Sequence, residues 1–597
     1  MKKIISKQLP YLGYFFKYLK YRLFIILFIS IAVGVLDGFG LTMFIPLLEM
    51  ISSNSDNATN DSLGNLSFVM DSIKHFNLEI NLQVILFMML LFFTLKGGAK
   101  WIEIYLETIF LQYFIRRLRE DCIDSLANYK YENFVNEDAG VIQNALTTEV
   151  ILVTNAYRNY NQILRSIFLV ITYSSLAFLS NPEFAAIVLV GGLLMNFLFS
   201  RIYKQTKKQS KNIVTGNQDF QGLMLQFVAF FKYFTSTGET LKFREKLVER
   251  VRFIEESQKK IGILKAVVMG IREPVLIFIV VLTIIIQVQV MGGILASIIL
   301  SLLFFYRGLT SVSQLQTSYN QFLSFSASLL NMDEFLSKLK KGRKVIRKFS
   351  CEPNGISGLE LKNITFKYGN TEILRDISLT IPSNKTIAFV GESGSGKTTL
   401  MNILCGLLPP LEGDFLIEGC SYKQCDILIL QKKIGYITQE SVVFTDTLFN
   451  NVTLWDTKTE KNIKRFYEAI ESAYLKELFD NDILHEDTPL GNSGITLSGG
   501  QRQRVSIARE LYKDVKYLFL DEATSSLDSE SENFIKKSID KLQGEKTIII
   551  IAHRLSTIKS ADLIFLLENG KLAGSGTYSD LIQENRLFQR MIKLQQL

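Results

Sequence analysis

A glycine-rich segment, Gly391-Glu-Ser-Gly-Ser-Gly-Lys-Thr398, has the residue types and spacing that bind phosphates. An apolar stretch precedes it and a helical pattern follows it through Leu408, so it lies between a predicted strand and a predicted helix. Glycines let the backbone N–H groups of such a loop turn towards phosphate oxygens, and the N-terminus of the helix favours anions. Lys397 is predicted to reach the β- and γ-phosphates, and Thr398 to bind Mg²⁺. The ATP-binding residues predicted in this segment are Gly391, Ser393, Gly394, Ser395, Gly396, Lys397, Thr398 and Thr399.

Two adjacent carboxylates, Asp521 and Glu522, follow an apolar stretch at residues 516–520 that reads as a second buried strand. Paired acids at a strand end are often structural. Their spacing from the phosphate-binding segment favours a catalytic interpretation, in which Asp521 holds Mg²⁺ through water and Glu522 polarises the attacking water as a general base. Lys397 would stabilise the charge that develops on the transferred phosphate.

A third segment, Leu497-Ser-Gly-Gly-Gln501, lies between the other two and opens a predicted helix. The order of the three motifs resembles the nucleotide-binding domain of ATP-binding-cassette (ABC) proteins, and the resemblance extends over about residues 357–590. In that family the third segment contacts ATP that is held by the opposite subunit. The resemblance therefore implies an ATPase whose site is completed by a second copy. The residues that would contact this ATP are Ser498, Gly499, Gly500 and Gln501.

Four further positions match functional residues of the family. The resemblance implies that Tyr368 stacks on adenine and that Gln439 senses Mg²⁺ and water. It also implies that Asp528 lies in a loop that communicates across the dimer, and that His553 hydrogen-bonds the γ-phosphate. A strand-end tyrosine or a lone histidine is more often structural, and the combination of motifs favours function here. The predicted catalytic residues are Glu522, His553, Gln439 and Lys397, and the predicted Mg²⁺ ligands are Thr398, Gln439 and Asp521.

The elements before this region read as membrane helices. Hydrophobic residues make up 48% of the 597, a high share for a soluble protein, and they concentrate before about residue 330. A helix needs roughly 20 apolar residues to cross a bilayer. Six predicted spans fit this requirement: 22–48, 80–113, 158–180, 182–206, 262–288 and 292–318. The sequence thus predicts an N-terminal all-α transmembrane domain of six helices at 1–330, a linker at 331–356, and a C-terminal α/β P-loop ABC ATPase domain at 357–597.

The charges of the chain predict its orientation. Lysine and arginine cluster beside the apolar runs and lead into the segments 114–157 and 207–261, which is the positive-inside pattern of cytoplasmic loops. We therefore expect both termini and the ATPase domain in the cytoplasm, with the chain in a bacterial inner membrane. The net charge of +8 follows from this pattern, so nucleic acid is not an expected partner. The five cysteines lack metal-ligand spacing, and we expect all of them to be reduced thiols.

Six spans followed by an ATPase on one chain resemble an ABC exporter half-transporter. In that family the tips of the two cytoplasmic loops press on the ATPase domains, and the matching tips would lie near 131–140 and 215–224. Some fragments are also similar to the bacterial flippases of lipid-linked oligosaccharides. These fragments are Asp37 with Phe44-Ile-Pro46, Tyr306-Arg307, Thr317-Ser-Tyr319, Ser324–Leu330 and an amphipathic pattern at 66–76 in the external loop.

Charged residues at membrane depth are costly and usually face a partner or a wet cavity. The candidates for a substrate cavity are Asp37, Lys96, Lys100, Arg272 and Arg307. Two interpretations stay open from the sequence. The residues could form ion pairs between helices, or the cations could line a cavity for an anionic head group, such as a pyrophosphate-linked sugar.

The function that the sequence predicts is an ATP-hydrolysing exporter or flippase that uses ATP and Mg²⁺. Every catalytic position matches the family, which favours a homodimer, and the predicted substrate is a lipid-linked oligosaccharide or another glycolipid. A multidrug or peptide exporter is the alternative. A soluble ABC ATPase that acts on DNA or ribosomes is disfavoured by the predicted spans. An importer is disfavoured because simple importers usually carry the two parts on separate chains.

Overall fold

The computed structural model describes residues 2–44, 47, 81–180, 182–285, 295–343, 358–480, 484–491, 494, 497–521, 529–552 and 558–595. The chain divides into two compact units. The first, called unit 1, contains Met1–Tyr129 and Asn133–Arg343, and the second, called unit 2, contains Lys130–Glu132 and Lys344–Leu597.

The described part of the chain up to residue 343 is predominantly helical. Its helices are α1 Lys2–Leu19, α2 Arg22–Thr42, α3 Leu82–Ala127, α4 Tyr131–Phe134, α5 Ala139–Asn144, α6 Val150–Ser180, α7 Pro182–Ala229, α8 Phe231–Ser236, α9 Thr240–Ile285 and α10 Leu295–Lys341. A single π-helical turn, Ala145–Glu149, joins α5 to α6. Because α10 continues to Lys341, the first part of the predicted linker 331–356 is helical.

The helices α2, α3, α6, α7, α9 and α10 overlap the predicted spans. Three helical stretches of the described chain are long and apolar enough to cross a membrane: Arg22–Thr42, Leu82–Ala127 and Ala139–Leu179. The count of six spans therefore stays a prediction. At about 1.5 Å per residue, the 46 residues of α3 cover roughly 70 Å, more than twice the thickness of a bilayer core. A helix of this length that crossed a membrane would extend well beyond it.

The second segment that was predicted to be cytoplasmic turns at a different place from the one expected. Residues 215–224 lie inside α7, and the chain reverses direction around the short helix α8. The glycines in this stretch serve helix packing, because a Cβ atom at Gly216 would lie 2.8 Å from Ile254 Cγ1. A Cβ atom at Gly140 would likewise lie 2.6 Å from the backbone of Gly222. The glycines therefore allow close approach between helices, and the prediction of a loop tip at 215–224 is wrong.

Unit 2 contains two sheets and the helices that cover them. Its strands are β1 Leu359–Tyr368, β2 Thr371–Ile381, β3 Thr386–Gly391, β4 Glu412–Ile417, β5 Cys420–Ser421, β6 Ile434–Ile437, β7 Tyr517–Asp521, β8 Thr547–Ile551, β9 Leu563–Glu568 and β10 Lys571–Gly576. Its helices are α11 Lys397–Leu404, α12 Ile427–Lys432, α13 Leu448–Thr453, α14 Glu460–Ser472, α15 Lys476–Asp480, α16 Gly499–Tyr512, α17 Ser529–Asp540, α18 Tyr578–Glu584 and α19 Arg586–Gln595. The antiparallel sheet has the order β2-β1-β4-β5, and the larger sheet has the order β10-β9-β3-β8-β7-β6.

The larger sheet positions the candidate site. Its strands β3, β8 and β7 are buried continuous apolar runs, as is typical of parallel strands covered on both faces. Since β3, β6, β7 and β8 run in parallel, their carboxyl ends meet at one edge of the sheet. In open α/β sheets, ligands bind at this edge.

The cysteines depart from the prediction at one position. Cys122, Cys405 and Cys425 are free and buried, as expected. Cys420, at the start of β5, is disulfide-bonded, so the expectation of a reduced thiol is wrong there. The spacing of cysteines along a chain does not reveal which sulfur atoms the fold brings within bonding distance.

Candidate functional site

The glycine-rich loop leaves the carboxyl end of β3 and enters α11. A Cβ atom at Gly391 would lie 2.3 Å from the carbonyl oxygen of Leu567, so no side chain fits there. Gly394 and Gly396 have φ angles of 80° and 100°, which favour glycine. The three glycines therefore let the backbone itself form the wall of the loop.

The polar groups of this loop suit an anion. The Lys397 side chain is buried, and its Nζ donates to the carbonyl oxygens of Gly391 at 2.9 Å and Glu392 at 2.8 Å. The Ser395 hydroxyl is buried with no hydrogen-bond partner, although buried polar groups are normally paired. The N-terminus of α11 adds unpaired backbone donors at the same place. Phosphate oxygens would satisfy these donors, so the loop fits a nucleotide.

Asp521 lies level with the start of the loop. It ends β7 and pairs with Ile551 of β8, and Phe389 of β3 pairs with the same residue from the other side. The Tyr436 hydroxyl of the neighbouring strand β6 donates to Asp521 Oδ2 at 3.2 Å. Burial, and then the nearby Asp521 carboxylate, raise the pKa of Tyr436, so its hydroxyl remains a donor. Gln439 follows two residues after β6, at the same edge of the sheet.

The predicted Mg²⁺ ligands Thr398 and Asp521 thus lie at the same carboxyl edge of the sheet, after β3 and at the end of β7, with β8 between these two strands. Within the described ranges, no group of three or more His, Cys, Asp or Glu residues is placed to hold a metal ion. A magnesium ion here would take most of its ligands from phosphate oxygens and water, which is how Mg²⁺ binds in many nucleotide sites. The donor set therefore fits Mg²⁺ with a nucleotide.

The third motif forms the N-terminus of α16. Ser498 caps this helix: its Oγ accepts from the backbone N–H of Gln501 at 3.2 Å, and Gln501 Oε1 accepts from the backbone N–H of Ser498 at 2.8 Å. Ser498 and Gly499 are exposed. A capped, exposed N-terminus of a 14-residue helix can present backbone donors and a favourable dipole to an anion.

Tyr368 ends β1, and its side chain is 47% exposed. Burial raises the pKa of Tyr368 and the nearby Thr399 side chain, in the first turn of α11, lowers it, so the ring lies beside the loop. Three predicted residues, Glu522, Asp528 and His553, lie outside the described part of the chain, and their roles stay predictions.

Sequence reasoning missed two polar residues near this edge. Tyr436 has been described above. Gln503, buried in α16, is hydrogen-bonded to the Ser441 hydroxyl, and its Nε2 lies 3.5 Å from the carbonyl oxygen of Thr438. These contacts tie the segment that carries Gln439 to α16. No local sequence signal predicts them, because they depend on which strands and helices become neighbours.

In unit 1, the candidate cavity residues are engaged in ion pairs. Asp37 in α2 is buried; it pairs with Lys96 of α3 and accepts a hydrogen bond from the Tyr173 hydroxyl of α6. Arg307 of α10 lies 3.9 Å from the same carboxylate. The side chain of Lys96 is 27% exposed to solvent, and that of Arg307 is 44% exposed. These pairs favour the interpretation of ion pairs between helices, and leave the cations partly accessible.

A second group of charges surrounds Glu103, and of its members only Lys100 was among the predicted cavity residues. This glutamate of α3 is fully buried; it accepts from the Ser30 hydroxyl at 2.5 Å and from Lys100 at 2.7 Å, and it forms an ion pair with Arg165 at 2.8 Å. Arg165 of α6 also pairs with Glu107 at 2.6 Å. Lys100 is therefore paired as well. The side chain of Arg272, the remaining candidate, lies outside the described part of the structure.

The comparisons with known proteins bear on the family and the fold of the chain. Residues 374–525 match the family described as ABC transporter. Over 306 residues the chain is 33% identical to the ATP-dependent lipid A-core flippases of Escherichia coli K12 and Shigella flexneri, and each match covers 51% of this chain and 51% of the relative. The chain thus spans about half the length of the curated relatives it matches.

One solved structure shares the fold over nearly the whole chain. A bacterial Atm1-family ABC exporter with ATP bound superposes with a TM-score of 0.75 at 20% identity, and the match covers 97% of this chain and 99% of that one. A helical N-terminal region and a C-terminal α/β ATPase domain are confirmed by this likeness and by the family match. Residues 374–525 of the chain therefore match the ABC transporter family, and the chain has the fold of an ABC exporter.

Proposed function

We propose that this protein hydrolyses ATP to export or flip a lipid across the bacterial inner membrane, and that it works as a homodimer. The observation that carries the ATPase assignment is the loop after β3. Its backbone leaves no room for a side chain at Gly391, and it holds a buried lysine and an unpaired serine hydroxyl beside a helix N-terminus. This arrangement suits a nucleotide phosphate and explains why each residue type is needed.

The residues of the chain divide the work of hydrolysis. The Lys397 amine exchanges its two carbonyl partners for β- and γ-phosphate oxygens, and Ser395 gains a partner for its buried hydroxyl. Tyr368 offers an exposed ring to adenine beside α11. Thr398, Gln439 and Asp521 would hold Mg²⁺, which when bound neutralises charge on the phosphates. Glu522 activates water and His553 contacts the γ-phosphate in this proposal.

A second copy of the chain completes the site in the same proposal. The exposed N-terminus of α16, with Ser498 and Gly499 at its tip, presents anion-binding donors to ATP held by the partner. Every catalytic position of the chain matches the family, so two copies would form two competent sites. This supports a homodimer over a pair with one impaired chain.

The proposed substrate is a lipid-linked oligosaccharide or another glycolipid. Relatives at 33% identity are named lipid A-core flippases, which supports a glycolipid substrate broadly. The partly exposed cations Lys96 and Arg307 would suit an anionic head group. A multidrug or peptide exporter is the second candidate, and the ion pairing of these cations favours it, because paired cations attract anions less strongly.

The test uses the purified protein in detergent and in liposomes. We expect wild-type protein to hydrolyse ATP in the presence of Mg²⁺, and Glu522→Gln to bind ATP as a stable dimer with little turnover. Native mass spectrometry of the same sample then reports the bound lipid. Near-normal hydrolysis by Glu522→Gln would contradict the mechanism. A dimer that retains only bulk phospholipid and responds to drugs instead of glycolipids would contradict the proposed substrate.

A further inference from the structure

Tyr436 joins two strands that carry different parts of the candidate site. It lies in β6, three residues before Gln439, and its hydroxyl donates to Asp521 Oδ2 at the end of β7 at 3.2 Å. The strands β6 and β7 are parallel neighbours, and Tyr436 pairs with Phe519, two residues before Asp521. The hydroxyl therefore reaches forward along the sheet to the carboxylate.

This hydrogen bond can orient the carboxylate. A carboxylate that accepts a hydrogen bond rotates less freely, so the Tyr436 hydroxyl restrains the orientation of the Asp521 side chain. Groups that hydrogen-bond a metal ligand commonly change metal affinity or activity by about 10- to 100-fold when removed. The hydrogen bond of this half-buried tyrosine could instead serve only to pair its own hydroxyl, and the test below separates the two roles.

The segment after β6 is held from a second side. Ser441 and the Thr438 carbonyl contact Gln503 of α16, the helix that begins with Ser498. The strand and loop that carry Gln439 are thus linked to Asp521 through Tyr436 and to α16 through Gln503. A displacement of this segment would be transmitted to the Asp521 carboxylate through one hydroxyl.

We propose that Tyr436 is a positioning residue for Asp521. Through its hydrogen bond to Asp521, Tyr436 makes the geometry of the magnesium site depend on the position of the segment that carries Gln439. This inference deepens the proposed ATPase function and rests on it. Tyr517 offers a matched control. It is a buried tyrosine of β7 whose hydroxyl donates to the Glu418 carboxylate at 3.0 Å, and β7 is the strand that pairs with β6.

The experiment compares Tyr436→Phe with Tyr517→Phe in the full-length protein. Mn²⁺, used as a paramagnetic probe for Mg²⁺, is titrated in the presence of a non-hydrolysable ATP analogue, and the bound ion is followed by electron paramagnetic resonance. We expect Tyr436→Phe to weaken Mn²⁺ binding about tenfold and to change the ligand signature. Tyr517→Phe should leave both unchanged. Binding of a fluorescent ATP analogue in EDTA should be the same in all three proteins.

The Mg²⁺ dependence of ATP hydrolysis gives the second readout. The Mg²⁺ concentration for half-maximal rate should rise by a similar factor in Tyr436→Phe alone, with the KM for MgATP little changed. Equal Mn²⁺ affinity in wild type and Tyr436→Phe would overturn the inference, and so would equal losses in both variants, because these indicate a general loosening of the sheet. Wild-type protein that binds Mn²⁺ with nucleotide but never hydrolyses ATP would instead refute the proposed function.

Discussion

The ion pair between Asp37 and Lys96 gives a test that separates a structural from a substrate-binding role. The Asp37 side chain is 4% exposed, and it accepts from Lys96 and from the Tyr173 hydroxyl. Replacement by asparagine keeps the shape and one acceptor oxygen but removes the charge. Breaking a buried pair by removing one partner costs about 3–5 kcal/mol, because the other charge is left unpaired. Since Lys96 keeps 27% exposure, we expect the lower end, about 3 kcal/mol.

The assay is thermal unfolding of the detergent-solubilised protein. A loss of about 3 kcal/mol should lower Tm by roughly 5 °C in a unit of this size. The double variant Asp37→Asn/Lys96→Met should recover most of this loss, because Lys96→Met removes the charge that Asp37→Asn leaves unpaired. Glu120→Gln is the control: it breaks the exposed pair of Glu120 with Arg116 and should change stability by less than about 1 kcal/mol.

The double variant also tests the substrate role of Lys96. If this cation only stabilises the helices, the double variant should show the same ATPase stimulation by glycolipid as we expect for the wild-type protein. If it binds an anionic head group, stimulation should fall although stability has recovered. An unchanged Tm for Asp37→Asn, or a double variant no more stable than the single one, would refute the reasoning about a buried pair.

Two further predictions concern unit 2. Gly391→Ala should abolish binding of a fluorescent ATP analogue, because the new Cβ atom would lie 2.3 Å from the Leu567 carbonyl oxygen; binding as in wild type would contradict the proposed loop geometry. Glu418→Gln should destabilise unit 2 by at least about 2 kcal/mol at neutral pH, because Lys516 at 2.7 Å and Lys433 at 2.9 Å lose a charged acceptor. Burial alone would raise the pKa of Glu418, but the hydrogen bonds from Lys516, Lys433 and Tyr517 outweigh it and hold that pKa below its ordinary value. The stabilisation is therefore present above the unfolded pKa of about 4.3 and is lost as pH falls through the folded pKa, so the Tm difference between wild type and variant should shrink below about pH 4, and a constant difference would contradict this account.

The parts of the site that the sequence could predict are those made by contiguous residues. The conformation of the loop from Gly391 to Thr398 is determined by adjacent residues, because the glycines, the lysine and the start of the helix follow one another along the chain. The capped start of α16 at Ser498 is local in the same sense, since its two hydrogen bonds span three residues. Local sequence patterns of this kind do not depend on how distant parts of the chain pack.

The parts that could not be predicted depend on pairing between distant segments. The bond from Tyr436 to Asp521 requires the register of β6 against β7, which no local pattern specifies. The pairing of Glu103 with Arg165 requires α3 and α6 to be neighbours. The turn at α8 was misplaced for a related reason, because Gly216 supports a close helix contact, and sequence alone does not show what a glycine lies against.

The two charged groups of unit 1, one around Glu103 and one around Asp37, differ in net charge, and this difference bears on the proposed substrate. Around Glu103 and Glu107, two carboxylates face the two cations Lys100 and Arg165, so this group is electrically neutral in the described part of the chain. Asp37 alone faces two cations, Lys96 and Arg307. Lys96 is the closer of the two cations to the Asp37 carboxylate. Arg307 lies 3.9 Å from the same carboxylate, its side chain is 44% exposed, and it therefore interacts with Asp37 more weakly. The unbalanced positive charge lies therefore at the Asp37 group.

An exposed guanidinium that shares its carboxylate with a closer lysine can turn to a second anion at little electrostatic cost, because Asp37 keeps Lys96 and the Tyr173 hydroxyl when Arg307 leaves. Arg165, in contrast, is almost fully buried and holds two carboxylates at once, so any anion would have to displace both. If an anionic head group enters unit 1, the Asp37 group is where the charges favour it. The Glu103 group then acts as a structural ion-pair network between α3 and α6.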